Sequence, residues 1–395
     1  MTGAETAATA VAALSLIAWL YLSQFHGRFW RADQRLRQSA EPDAWPAVAA
    51  VVPARDEADV VGTAMRSLLD QDYPGRFHVF LVDDESRDGT AEAARAAAPP
   101  DKAEALTVLR TEARPAGWVG KMWAVATGVA AATAGDAEPP TYLLLTDADI
   151  AHPGNGLRRL VAKAEAERLD LASLMVRLHC RDGWERLLIP AFVYFFQKLF
   201  PFPRVNDPRS PVAAAAGGCM LVRVSALEAA GGMAAIRGAI IDDCALAAAL
   251  KPRGPIWLGL AEEHRSLRPY DGLGGIWRMV ARSAFAQLRH SWLLLAGTVL
   301  GMALLYLAPP VIGLWGLVEG WDFAAAAGLA AWAAMAASLV PTLRLYGRPL
   351  WEGFLLPMAG LLYAAMTVDS AVAHALGRGG AWKGRVQAGR DAPSA

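Results

Sequence analysis

Cysteine is scarce: Cys180, Cys219 and Cys244 are the three in 395 residues, odd in number and without CxxC spacing. That excludes a disulfide framework and a zinc ribbon, and it is compatible with a reduced, cytoplasmic catalytic face. Charge is sparse too, at 19% of residues, and 38 Lys plus Arg cancel 38 Asp plus Glu. The chain as a whole is neither a basic nucleic-acid glove nor an acidic tail protein, and no nucleic-acid partner is assigned. No GxGxxG follows the first strand-like run and no GxxxxGK[ST] occurs, so nicotinamide-dinucleotide and P-loop chemistry lose their main support. Internal repeats are absent. What abounds is apolar sequence, 54% of residues, which points to a membrane-associated globular protein.

Residues 7–25 carry no charge and approach the roughly 20 apolar residues of a bilayer-spanning helix. No basic region precedes them; Arg28, Arg31, Arg35 and Arg37 follow instead. The pattern predicts a retained anchor with its C-terminal side in the cytoplasm, a cleaved signal peptide being the alternative. Three further apolar stretches lie at about 291–318, 323–343 and 349–372. Glu319 and Asp322 separate the first two, and Arg344 and Arg348 the second and third. Alternation would put the tail outside, yet that tail carries Arg378, Lys383, Arg385 and Arg390, so its side stays open. The expected division is an anchor and basic linker over 1–39, a catalytic domain over 40–290, membrane helices over 291–376 and a basic tail over 377–395. The localisation that follows is a multi-pass inner (cytoplasmic) membrane protein whose catalytic domain faces the cytoplasm.

The central domain reads as α/β. Ala47 to Val52 is a short unalternating apolar run suited to a strand buried on both faces. A helix is predicted over about 57–70, with Val61, Met65 and Leu68 at helical spacing. His78 to Val82, Leu106 to Leu109 and Tyr142 to Leu145 are further strands, and Asp88-Gly89-Thr90 a turn capping the helix after the second. Strands alternating with helices predict a mixed, mostly parallel sheet with helices on both faces. In open sheets of this kind ligands bind beyond the C-terminal strand ends. Arg55-Asp56-Glu57, Asp83-Asp84 and Asp147-Ala148-Asp149 lie at three such ends. Acidic residues favour turns in any case, but their recurrence in register with the crevice argues for a site. Asp147 and Asp149, one residue apart, are hard oxygen ligands suited to Mg²⁺ or Mn²⁺ held jointly with a diphosphate.

Val52-Pro53-Ala54-Arg55-Asp56-Glu57, Val82-Asp83-Asp84-Glu85-Ser86-Arg87-Asp88-Gly89-Thr90 and Asp147-Ala148-Asp149 resemble the successive motifs of family 2 inverting glycosyltransferases with the GT-A fold. Gly120-Lys121 stands between them, and Gly217-Gly218-Cys219-Met220 and Ile241-Asp242-Asp243-Cys244 follow in the family's order, over about 48–290. Within the family, total length, one anchor before the domain, several apolar helices after it, and the stretch Phe200-Pro201-Phe202-Pro203-Arg204-Val205-Asn206-Asp207-Pro208 resemble the hopanoid-biosynthesis-associated glycosyltransferases.

The resemblance implies roles. Pro53, Arg55, Asp56, Glu57, Asp83 and Asp84 would bind the nucleotide; Lys121 would add positive charge near its phosphates, a solvated helix-start lysine being the plainer alternative. Asp149, helped by Asp147, would hold the divalent cation, Mg²⁺ or Mn²⁺. Asp243, beside Asp242, would be the general base on the acceptor hydroxyl; the plainer alternative makes both acids helix N-terminal residues. Gly217 and Gly218 would lie on the acceptor side. The Q-x-x-R-W motif of processive relatives is absent. Gln287, Arg289 and Trp292 occur in the wrong spacing, and Arg282 or Arg289 would meet either a diphosphate or lipid headgroups. That departure favours single transfer over polymer extrusion.

Leu187 to Pro203 is apolar and aromatic but broken by Pro190, Lys198 and Pro201. It reads as an interfacial or re-entrant segment, with a buried core helix as the alternative. His264 with Arg265 and Arg268 is expected to face the site; His26, His78, His152, His179 and His374 show no metal-ligand pairing. The function expected is a membrane-bound, metal-dependent inverting glycosyltransferase moving a sugar from a nucleotide-sugar donor, a UDP-sugar in the first instance, to the hydroxyl of a membrane lipid such as a hopanoid. Two rivals stay open: a polyprenyl-phosphate sugar synthase, and a non-catalytic nucleotide-binding membrane scaffold.

Overall fold

The computed structural model describes residues 2–134 and 139–378, and the backbone of 381–382 and 385–386. Most of the basic tail, Lys383 and Arg390 included, lies outside the described residues. The chain divides into two compact units. One comprises chiefly Asp33–His179 and Arg204–Pro269; the other comprises Met1–Ala32, Cys180–Pro203 and Tyr270–Trp382. The division differs from the single span expected over 40–290, because 180–203 and 270–290 pack with the apolar helices.

The first unit is built on an eight-stranded sheet. Its strands are β1 (Val48–Ala54), β2 (Phe77–Asp83), β3 (Leu106–Arg110), β4 (Tyr142–Thr146), β5 (Ile150–Ala151), β6 (Leu171–Arg177), β7 (Cys219–Arg223) and β8 (Ile256–Ser266), in the spatial order β3-β2-β1-β4-β7-β6-β8-β5. The pairs β1–β2, β1–β4, β2–β3 and β6–β8 are parallel, whereas β7 runs antiparallel to β4 and β6, and β5 to β8. Every residue of β1 is buried, as its apolar, Val-rich run requires in a sheet covered on both faces. Fully burying each of its valines contributes about 1.5–3 kcal/mol before entropy is counted.

The helix Gly120–Thr133 covers β1 and β2 closely, since a Cβ at Gly128 would lie only 2.5 Å from Val51 Cγ1. That approach places Lys121, on the first turn, over the strand ends. The helix after β1 is shorter than predicted, Val61–Leu69. Its expected first turn is diverted: the Asp56 and Glu57 N–H groups donate to Ser86 Oγ and Thr90 Oγ1, at 3.0 and 2.8 Å.

Among the described residues, the second unit contains four helices long and apolar enough to cross a membrane: Gly3–Phe25, Trp292–Glu319, Asp322–Leu345 and Leu350–Ala375. Their large exposed apolar side chains, among them Ile17, Leu293, Val318 and Phe323, fit a lipid surface better than water. The helix Gly183–Leu199 opens on a capping box between Asp182 and Glu185. It buries Leu188, Ile189, Val193 and Tyr194; the Tyr194 hydroxyl meets Ser338 Oγ at 2.6 Å and Tyr363 donates to the Leu188 carbonyl at 2.9 Å. One face of this helix is therefore packed inside its own unit, while Trp184 and Leu199 stay exposed.

Candidate active site

The acidic strand ends and the loops after them converge within the first unit. After β1 and β2 the two loops are knitted together. Arg55 Nη1 donates to the Asp84 carbonyl at 2.7 Å and to its carboxylate at 3.3 Å. Asp56 Oδ1 accepts from the Arg87 N–H, Asp83 Oδ1 from the Ser86 N–H, and Asp88 spans from the Ala58 N–H to Thr90. Asp88 thus staples two loops rather than only capping a helix. Asp56 and Glu85 hold left-handed backbone, at φ 49° and 56°, conformations an acidic residue tolerates only where its surroundings enforce them. Asp83 and Asp84 are buried.

Arg268, just beyond β8, joins this knot to the next. It pairs with Glu57 and approaches Asp149 Oδ2 at 3.7 Å, while Ser266 donates to the same oxygen at 3.1 Å. Burial and the Asp147 charge push the Asp149 carboxyl up to about 6, Ser266 pulling the other way. An Asp149 carboxyl crowded by the Asp147 charge makes a hard-oxygen pair that a divalent cation would relieve, so the residues present fit Mg²⁺ or Mn²⁺.

Lys121 closes the arc. Its ammonium lies 2.9 Å from Asp147 and 3.1 Å from Asp242. Burial alone would lower its proton affinity, but Asp147, Asp242 and Asp243 together hold it well above the usual lysine value. The solvated-lysine alternative is thereby excluded. Asp243 is held differently: Oδ2 accepts from the Gly217 N–H at 2.9 Å and Oδ1 from the Cys244 N–H at 2.7 Å. Burial, then Asp242, push its carboxyl up to about 6 against the pull of Lys121 and those two N–H groups. Asp242 and Asp243 do open the helix Asp242–Leu250, yet each has a partner that helix capping does not require. Gly217 approaches Asp243 and Lys121, and a Cβ at Gly218 would meet Val176 Cγ2 at 2.9 Å. Pro53, Lys121, Asp147, Gly217 and Asp242 line a common pocket with Met220.

Residues 49–231 match the family model described as Glycosyl transferase family 2. Over that stretch, a little under half of its length, the chain resembles family 2 glycosyl transferases. Over 88 residues it is 32% identical to an N-acetylglucosaminyltransferase of Rhizobium meliloti (strain 1021), covering 22% of this chain and 21% of that protein. Over 101 residues it is 35% identical to an N-acetylglucosaminyltransferase of Rhizobium leguminosarum bv. viciae, covering 24% of each. The matched stretch therefore spans under a quarter of each relative's length. The solved structure of a mannosyltransferase of Pyrobaculum calidifontis, in complex with GDP-Man and Mn²⁺, aligns over 95% of this chain and 99% of its own, with a TM-score of 0.55 and 19% identity. That likeness establishes the GT-A-like fold.

Within the first unit, Pro53, Arg55, Asp56, Glu57, Asp83, Asp84, Lys121, Asp147, Asp149, Gly217, Asp242 and Asp243 fall along one arc or line its pocket, whereas Gly218 packs towards Val176. Arg282, Gln287 and Arg289 belong to the other unit. Of the group expected beside the site, Arg268 reaches it, whereas His264 is buried at 3% exposure. Ser266, the hydroxyl donor to Asp149, carried no sequence signal beyond alternation with His264 along β8.

Proposed function

We propose that the chain transfers a sugar from a nucleoside diphosphate sugar to the hydroxyl of a membrane lipid with inversion at the anomeric carbon, Asp243 acting as general base. The observation that carries this reading is the Asp147–Lys121–Asp242 chain, with Asp243 beside it on the backbone N–H groups of Gly217 and Cys244. It links Asp147, of the acidic pair suited to a cation, through Lys121 to Asp242, the neighbour of the oriented Asp243 carboxylate.

Each residue then has a task. Asp147 and Asp149 would hold a Mg²⁺ or Mn²⁺, which would supply positive charge beside the departing diphosphate. Lys121 adds fixed positive charge on the same side. Arg55, Asp56 and Glu57, with Asp83 and Asp84, form the rigid cradle offered to base and ribose. Asp243, with its proton affinity raised towards neutrality, takes the acceptor hydroxyl's proton as the oxygen attacks. Both its oxygens already accept backbone N–H groups, so the carboxylate is oriented before the acceptor arrives.

Four candidate spans support a lipid acceptor, a hopanoid or related polycyclic alcohol being the first class to test, with the catalytic domain on the cytoplasmic face of the inner membrane. The relatives' names put N-acetylglucosamine first among sugars, carried by UDP. The test is to incubate detergent-solubilised protein with a panel of nucleotide sugars, Mn²⁺ and total membrane lipid, and to search by mass spectrometry for a new glycolipid. Donor-dependent appearance of a lipid heavier by one sugar is the expected result; donor turnover with no lipid product overturns the acceptor class.

A further inference from the structure

Away from the acidic arc, the first unit gathers three side chains that the proposed transfer does not use. His152 follows β5, Cys219 opens β7 and His264 lies within β8. One potential ligand atom from each stands within 4.8 Å of the other two. All three are buried, at 7%, 0% and 3% exposure, and the two imidazoles meet edge to face with centroids 5.3 Å apart. Gly156 leaves room for the His264 ring, since a Cβ there would lie 2.8 Å from its Nε2.

The hydrogen bonding is incomplete in a telling way. The Thr146 hydroxyl donates to the Gly218 carbonyl at 2.7 Å, and His152 Nε2 lies 3.0 Å from Thr146 Oγ1. With the threonine proton committed, that network assigns the imidazole proton to Nε2 and leaves the His152 lone pair on Nδ1. An N–H anchored to a neighbour is the usual support of a metal-binding histidine. The His264 ring and the Cys219 thiol make no hydrogen bond among the described residues. Buried polar side chains are ordinarily satisfied, so a merely structural histidine pair would be expected to have partners here.

Protonation favours a cation as the missing partner. Burial holds His152 well below the usual histidine value, and burial followed by the Arg159 charge holds His264 down to about 4. Both rings are therefore neutral, the form that binds metals. Burial pushes the Cys219 thiol up to about 12, which makes it inert as a free nucleophile.

We propose that His152, Cys219 and His264 form a second metal site, distinct from Asp147 and Asp149, for a thiophilic closed-shell cation, Zn²⁺ or Cu⁺. Two imidazoles and a thiolate, with no carboxylate, exclude Mg²⁺ and Mn²⁺ as its natural occupants. Ligands at about 2.0–2.3 Å from one ion stand about 3.5–4 Å apart in trigonal or tetrahedral geometry, so small side-chain movements close the set. On binding, the S–H bond of Cys219 breaks, its proton leaves to solvent and a sulfur–metal bond forms, with no change of oxidation state. Zn²⁺ leaves the cluster with one positive charge and Cu⁺ leaves it neutral. The ion would clip the segment just after β5 to β7 and β8. Thr146 directly precedes Asp147, and Gly218 directly follows Gly217, so the clip would brace the backbone on which the acidic arc is mounted.

The test uses the full chain in detergent, purified from cells supplied with both metals. Elemental mass spectrometry should find about one equivalent of zinc or copper in the wild type and in Asp149→Asn, and little in Cys219→Ser or His264→Gln; the element found identifies the ion. Independently of any variant's folding, wild type stripped with a chelator is titrated with Co²⁺, Zn²⁺ and Cu⁺. One equivalent of Co²⁺ should produce a thiolate-to-metal absorption band, and Zn²⁺ or Cu⁺ should bleach it and raise Tm. The proposal fails if stripped wild type binds none of the three stoichiometrically, or if folded Cys219→Ser keeps its ion. Neither readout involves donor or turnover, so failure here leaves the proposed transfer standing, and the reverse holds.

Discussion

Asp243→Asn separates the base from the rest of the arc. The rise of the carboxyl from 3.8 to about 6 means that ionised Asp243 opposes folding by roughly 3 kcal/mol near neutral pH. Asparagine removes that opposition. It also turns an NH₂ towards either the Gly217 or the Cys244 N–H, both of which now donate to the carboxylate, and leaving a buried donor unmatched costs about 1–3 kcal/mol. The two effects offset, and the variant should fold with a stability within about 2 kcal/mol of wild type. Donor affinity should change little, because Asp147, Asp149 and Lys121 remain. Turnover should fall about 10²–10⁴-fold, the range typical for loss of a general base. Transfer by mass spectrometry, donor Kd by calorimetry and Tm on the same preparation separate the three quantities. Turnover within threefold of wild type, with folding and donor binding intact, refutes the base assignment and favours an acceptor that needs none, such as a polyprenyl phosphate.

The pH profile should follow from the same group. The carboxylate is the active form and its protonation point is raised, so kcat/KM should fall about tenfold per unit as pH drops below about 6 and level off above it; a rate flat between pH 5 and 7 contradicts the base. Lys121→Met leaves Asp147, Asp242 and Asp243 without their common counter-charge, and the protein should lose about 1–3 kcal/mol, the pair being only partly exposed; part of that loss should return on adding Mn²⁺, read by Tm. Gly218→Ala should cost about 1–3 kcal/mol by pressing a methyl group onto Val176, and Val176→Ala in the same chain should recover much of it.

The strand-end acids were legible because their signal is local: an apolar run that ends in Arg55-Asp56-Glu57 or Asp147-Ala148-Asp149 declares both the strand and its C-terminal edge. The order of those motifs along the chain carried the likeness that the family match then supported. Contacts set by strand order were not legible. Arg268 reaches Glu57 and Asp149 only because β8 pairs with β5, which puts Ser266 opposite Ile150, and no spacing rule encodes that pairing. His152, Cys219 and His264 looked unrelated for the same reason: each lies on a different segment, and sheet topology alone makes them neighbours. Asp84 illustrates a third limit, since pattern located it while only coordinates disclose that Arg55 already occupies it. The segment Leu187 to Pro203 left an interfacial helix and a buried one both open, because no sequence pattern shows that Tyr194 and the Leu188 carbonyl find polar partners on later helices.

The central claim is that one acidic arc binds a nucleoside diphosphate sugar through a divalent cation. Calorimetric titration of the detergent-solubilised chain with UDP-N-acetylglucosamine and other nucleotide sugars, with Mn²⁺ and then with chelator, tests it most directly. Saturable binding of at least one donor with Mn²⁺, lost on chelation and in Asp149→Asn but kept in Asp243→Asn, is the predicted result. Equal affinity with and without the cation, or binding of no nucleotide sugar by folded protein, would contradict it.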